Sequence, residues 1–165
     1  MGQASRLSID TRPSSVAHRL IMDLLYRRRL PHWRNDGVTY FVTWRLADSQ
    51  PELCSSERDL IARALKHFDG QRYQLGAFVV MNDHVHALLT PLGENALKDI
   101  LHSWKSFTAH QMRRHPTGRV WQDEYFDRIV RDEKEFVEKL RYIVKNPWKR
   151  WPDLEEYAWV WPAEE

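Results

Sequence analysis

Val79-Val80-Met81-Asn82-Asp83-His84-Val85-His86-Ala87-Leu88-Leu89-Thr90 is the stretch on which the fold turns. Two apolar runs flank Asn82-Asp83, and turn-forming residues between β-type runs predict a hairpin. The first strand is expected over residues 73–81 and the second over 84–90, where Pro91 ends it. A strand alternates its faces, so His84 and His86 point the same way. Two neighbouring imidazoles on one sheet face make half of a metal site. The plainer reading is a pair of strand histidines without a task.

Working outward, residues 39–46 are rich in β-branched and aromatic side chains and predict a strand. Ser56 with Asp59 resembles a capping box. Leu60, Ile61, Ala64, Leu65 and Phe68 then share one face of a helix that Asp69-Gly70 stops. Downstream, Leu97, Ile100, Leu101, Trp104 and Thr108 trace a helix over 95–114, broken by Pro116-Thr117-Gly118. A fourth strand is expected over 125–130. Asp132 caps a last helix that runs to about Lys145 and stops at Pro147. Residues 16–30 read as a short basic helix.

The order β–α–β–β–α–β–α predicts an α+β fold, a ferredoxin-like split βαβ. It implies a central antiparallel sheet with helices packed on one face and the other face free for a site. A basic N-terminal extension (1–30) precedes the domain (31–147). An aromatic C-terminal tail (148–165) carries Trp148, Trp151, Trp159 and Trp161.

Composition narrows the function. The 165 residues suit one domain with a core that needs no staples. Cys54 is the lone cysteine, which excludes a disulfide framework and a cysteine zinc cluster and fits a reducing, cytoplasmic setting. No apolar run is long enough for a transmembrane helix, and no signal-peptide core opens the chain. The net charge of +2 is unevenly spread: residues 1–34 hold seven arginines against Asp10 and Asp23, whereas the rest holds 18 basic and 21 acidic residues. Arg141, Lys145, Lys149 and Arg150 form a second basic spot. Such asymmetry, with eight tryptophans, suits a single-stranded nucleic acid, although a buried aromatic core also accounts for tryptophans.

The last helix decides between these readings. Phe136, Val137, Leu140, Ile143 and Val144 form one buried stripe. At 100° per residue Tyr142 falls about 160° from the centre of that stripe. Asn146 lies one turn further on the same polar side. Two imidazoles and an amide oxygen can hold Mg²⁺ or Mn²⁺ with open positions left over. A metal there would polarise a phosphoryl oxygen. A tyrosine, with a pKa of about 10, could then attack phosphorus and store the bond as a phosphotyrosine.

Four stretches carry a family likeness: Leu30-Pro31-His32-Trp33 leading to residues 39–49; Met81-Asn82-Asp83-His84-Val85-His86; Val120-Trp121-Gln122-Asp123-Glu124-Tyr125-Phe126-Asp127; and Tyr142-Ile143-Val144-Lys145-Asn146-Pro147. In order and spacing they resemble the REP-associated tyrosine transposases. These are HUH-superfamily single-strand DNA nucleases related to single-tyrosine insertion-sequence transposases. The resemblance implies His84 and His86 as metal ligands, Tyr142 as nucleophile and Asn146 as third ligand, in a place where insertion-sequence relatives carry glutamine. It also implies a bacterial, nucleoid-associated enzyme that cleaves and rejoins repetitive extragenic palindromes as single-stranded hairpins with Mg²⁺ or Mn²⁺. Two departures stand out: Asn82 replaces a frequent proline, and Trp148-Lys149-Arg150 replaces a small apolar residue and a glycine.

Candidate DNA contacts are Arg27, Arg28, Arg29 and Trp33, with Lys105, Lys145, Lys149 and Arg150. Tyr125 is a rival nucleophile for which a structural role is favoured. Monomer and homodimer both fit the sequence. Two other functions compete. One is a domesticated hairpin binder without catalysis. The other is a histidine-triad nucleotide hydrolase, whose third histidine position is taken by Leu88.

Overall fold

A computed structural model describes residue 19, residues 37–114 and residues 118–161. The expected basic helix over 16–30 and the candidate contacts Arg27, Arg28, Arg29 and Trp33 lie outside the described residues. The elements run β1 (Tyr40–Arg45), α1 (Ser55–His67), β2 (Tyr73–Val80), β3 (His84–Pro91), α2 (Leu97–Met112), β4 (Phe126–Ile129), α3 (Glu133–Arg150) and β5 (Val160–Trp161). The sheet is antiparallel with order β4-β1-β3-β2-β5. Its first four strands have the expected split βαβ arrangement, and the class is α+β.

The helices do not share one face. Val42, Trp44, Phe78, Val80, Val85 and Leu89 pack with Ile61 and Leu65 of α1 and Ile100, Leu101 and Trp104 of α2. The alternate residues Phe41, Ala77, Val79, Met81 and Leu88 pack with Phe136, Leu140, Ile143 and Val144 of α3. The face expected to be free is therefore half covered by α3. The cause lies in the strands: β2 and β3 are almost continuously apolar, which demands burial on both sides.

One residue makes that two-sided pattern work. Tyr73 and Leu75 face α1 and α2, and so do Phe78 and Val80. The odd-to-even switch comes from a bulge between Leu75 and Ala77, at Gly76. A Cβ at Gly76 would lie 3.3 Å from Phe136 Cζ and 3.4 Å from the Leu88 carbonyl oxygen. Glycine lets α3 come this close to the strand, where any side chain would press on the Phe136 ring.

Helix ends differ from expectation in two places. α1 is capped by Cys54, whose N–H donates to Glu57 Oε2 at 3.0 Å, rather than by Ser56 with Asp59. Asp59 instead accepts from Trp159 Nε1 at 2.8 Å. α3 begins as expected, with Asp132 Oδ1 accepting from the Glu135 N–H at 2.7 Å. It continues through Pro147 to Arg150, past the expected domain boundary. Pro147 and Trp148 are buried against the sheet, and the Pro147 carbonyl accepts from the Trp151 N–H at 2.7 Å. Burial of that last turn outweighs the hydrogen bond a proline cannot donate.

The aromatic tail folds back on the sheet. Trp148 Nε1 donates to the Leu154 carbonyl, Tyr157 Oη donates to the Val80 carbonyl, and β5 pairs with β2. Arg58 lies 4.6 Å over the Trp159 ring and Lys66 4.5 Å over Trp161. Tail tryptophans thus close the β2 edge.

Candidate active site

β1 and β3 pair in a register that sets Thr43 opposite His86 and Arg45 opposite His84. Directly opposed residues share a face. These four side chains therefore lie on the α3 side, together with Phe41 and Leu88. The two imidazole centroids are 4.6 Å apart. Each ring has one nitrogen engaged. Thr43 Oγ1 is 2.6 Å from His86 Nδ1, and Asp83 Oδ1 is 2.5 Å from His84 Nδ1. The Nε2 atoms are left for another partner, and His86 Nε2 is buried without one. A buried polar atom left unpaired costs free energy unless something binds it.

Electrostatics hold both rings neutral. Burial pushes the His86 imidazole down to about 3, and His84, Arg45 and Lys139 push the same way. Burial also lowers His84, against the opposing pull of Asp83. The short Asp83 contact would favour a charged ring, but desolvation is the larger effect. His84 is thus a neutral imidazole donating Nδ1–H to a carboxylate, an arrangement that orients a histidine toward a metal.

Helix α3 delivers the tyrosine. Its stripe of Phe136, Leu140, Ile143 and Val144 is buried, which turns Tyr142 outward with 43% of its surface exposed. The Tyr142 ring meets His86 edge-on at a centroid distance of 5.2 Å and Phe41 at 5.9 Å. Lys139, one turn earlier, sits 4.8 Å over Phe41. Phe136 lies beside Gly76 and Tyr142 beside His86, so the helix advances along β3 from Leu88 toward His84. Four helical residues rise about 6 Å, close to the two-residue step of a strand. Asn146 is half-buried and follows Tyr142 by one turn in the same direction.

This donor set fits a divalent ion. Two neutral imidazoles present Nε2, and one amide stands on the facing helix. Among the described residues no group of three or more His, Cys, Asp or Glu side chains is placed to hold a metal. Asn146 is the amide on α3 that the sequence offers as a third donor.

The remaining candidates separate. Lys145 is half-buried and Lys149 and Arg150 are exposed, all on α3. Lys105 Nζ donates to the carbonyls of Gln122 and Asp123 at 2.7 and 2.9 Å, across the sheet from Tyr142. Two of its three donors are spent on anchoring a loop, which does not favour a DNA contact. Tyr125 packs against the core on the α1 and α2 side, away from the histidines, and burial raises its pKa. Leu88, at the third histidine position of a triad enzyme, is fully buried under α3. Nothing in the sequence marks Thr43, Asp83 and Lys139 as partners of the site. Only the shared period-two phase of Phe41, Thr43 and Arg45 hinted at the first of them.

No helix among the described residues is long and apolar enough to cross a membrane. The chain is 23% identical over 133 residues to the REP-associated tyrosine transposase of Escherichia coli (strain K12), covering 76% of this chain and 74% of that one. It superposes with a TM-score of 0.64 on a REP-associated tyrosine transposase bound to a REP hairpin, at 21% identity over 75% of this chain and 76% of that one. A candidate transposase from Deinococcus radiodurans R1 gives a TM-score of 0.50, again at 21% identity, covering 68% of this chain and 93% of that chain. The resemblance to REP-associated transposases thus holds in sequence and in fold. A family model described as "Transposase IS200 like" matches residues 53–146, and the chain belongs to that family.

Proposed function

We propose that the chain is a metal-dependent single-stranded DNA endonuclease and strand transferase. Its substrates are repetitive extragenic palindromes folded as hairpins, and its intermediate is a 5′-phosphotyrosine on Tyr142. The observation that carries this reading is the Tyr142 ring standing 5.2 Å from His86, whose Nε2 is buried and unpaired. The hairpin substrate is supported by the likeness to a REP-associated transposase bound to a REP hairpin.

His84, His86 and Asn146 would hold a Mg²⁺ or Mn²⁺ ion, which would polarise a phosphoryl oxygen and stabilise its developing charge. Tyr142 Oη attacks phosphorus and loses its proton to solvent, to which the half-exposed ring is open. The phosphorus–O3′ bond breaks, and the 3′ oxygen leaves with the electron pair and takes up a proton. One ester bond replaces another, so a second 3′-hydroxyl can reverse the step without an energy source. Asp83 favours the His84 tautomer with the proton on Nδ1, Thr43 engages His86 Nδ1, and the α3 stripe fixes the tyrosine.

The test is incubation with labelled single-stranded DNA containing palindromes from the source genome, in Mn²⁺ or EDTA, read on a denaturing gel. A metal-dependent covalent adduct is expected, absent in Tyr142→Phe and His84→Ala. Hairpin binding should persist in Tyr142→Phe. Tight hairpin binding with no adduct under any metal would replace this reading with that of a binding protein.

A further inference from the structure

Phe126 is the most exposed large apolar side chain among the described residues, at 58%. It stands on β4, which among the described residues is an edge strand paired only with β1. β4 pairs with β1 so that Phe126 lies opposite Thr43. Opposed residues share a face, and Thr43 reaches the α3 side to hold His86. Val130, four residues on and in the same phase, is buried in the α3-side core, which fixes the phase independently. Tyr125 packs on the other side. Phe126 therefore lies bare on the sheet face that carries the two histidines, one strand beyond Thr43.

Its surroundings are cationic. Arg45 is its diagonal neighbour across β1, half exposed and 4.0 Å from Asp83. Arg128 follows two residues along β4 and is also half exposed, with its Nε on Glu135. On the facing helix, residues 139–150 hold Lys139, Arg141, Lys145, Lys149 and Arg150 and no acidic side chain. An exposed ring with cations beside it suits a single strand, whose bases stack on aromatic faces while its phosphates meet the cations.

We propose that Phe126 is a stacking platform for an unpaired nucleobase next to the phosphate that Tyr142 attacks, a positioning residue that seats the strand in the site. The proposal rests on the strand-transfer reading above. Stacking holds any base, so Phe126 sets the register of the strand more than its sequence. A paired duplex keeps its bases stacked on one another and leaves the ring unused.

The test uses the full chain and palindromic hairpins from the source genome with single-stranded flanks, in which one nucleoside at a time is made abasic. Binding is measured in EDTA and adduct formation in Mn²⁺, for wild type, Phe126→Ala and Phe126→Trp. Phe126→Ala is expected to raise Kd about ten-fold and to slow adduct formation, with Phe126→Trp restoring both. One abasic position should weaken wild type as much as Phe126→Ala does and add nothing further in that variant. An unchanged Kd in Phe126→Ala overturns the proposal, as does equal loss at every abasic position or a change in oligomeric state as the only effect. If wild type forms no adduct, strand transfer fails as a reading while the EDTA binding arm still decides the stacking.

Discussion

Thr43 Oγ1 lies 2.6 Å from His86 Nδ1, and this contact leaves Nε2 as the only free nitrogen of a buried ring. The hydroxyl comes from the neighbouring strand and is brought there by register alone. Thr43→Val keeps the shape and removes the partner. Loss of such an outer partner lowers metal affinity by about ten-fold or more. A Mn²⁺ titration followed by electron paramagnetic resonance should show that drop with an unchanged circular dichroism spectrum. Equal affinity in the variant would reduce the contact to packing.

The second prediction concerns acid. His84 and His86 are both lowered by burial from an ordinary value of 6.5, His86 to about 3. Below 6.5 the unfolded chain takes up protons that the folded chain refuses. Stability is thus full above 6.5 and falls as the pH drops toward the folded values. Glu57 is also lowered, chiefly by its hydrogen bond from Arg114, and its contribution is lost as the pH falls below 4.5 through its depressed value. Denaturation by urea in EDTA at a series of pH values should therefore show decline beginning near 6.5. Arg114→Met should weaken the part below 4.5 and leave the upper part. Constant stability between 6.5 and 4.5 would contradict neutral, buried imidazoles.

Leu140 ties folding to chemistry. It is fully buried beneath α3, two residues before Tyr142. Leu140→Ala opens a cavity and should cost about 2–5 kcal/mol. If α3 seats the tyrosine, adduct formation should fall at temperatures where circular dichroism still reports folded protein. Full activity in the folded variant would mean that the tyrosine is placed by the substrate instead.

Much of this arrangement is legible in the sequence. The histidine pair follows from period-two alternation, and the outward turn of Tyr142 follows from the 3.6-residue stripe. What escaped was the side of the sheet on which α3 lies. The apolar runs Phe78-Val79-Val80-Met81 and Ala87-Leu88-Leu89 signal strands buried on both faces, because a half-exposed strand would alternate. Pro147 misled because proline stops a helix unless tertiary burial outweighs the lost bond, and Trp148 supplies that burial. Thr43 and Asp83 lie within stretches that carry the family likeness, but nothing in those stretches marks them as partners of the histidines. The role of Thr43 exists only once β1 and β3 are in register, whereas Asp83 acts on the histidine next to it in the chain.

Gly76 is where backbone geometry limits the whole site. The bulge there shifts β2 by one residue, which sends Val79 and Met81 to the α3 side and Phe78 and Val80 to the other. A side chain at this position meets Phe136 Cζ at 3.3 Å and Leu88 on two atoms at 3.4 Å. Gly76→Ala requires the Phe136 ring to yield a few tenths of an ångström. Gly76→Val adds two branches to an already tight contact and should cost about 1–3 kcal/mol, read as a lower urea midpoint. Because Phe136 anchors the start of the helix that carries Tyr142, the valine variant should also lose adduct formation before it loses hairpin binding. A midpoint unchanged in Gly76→Val would show that α3 does not rest on this strand as closely as described.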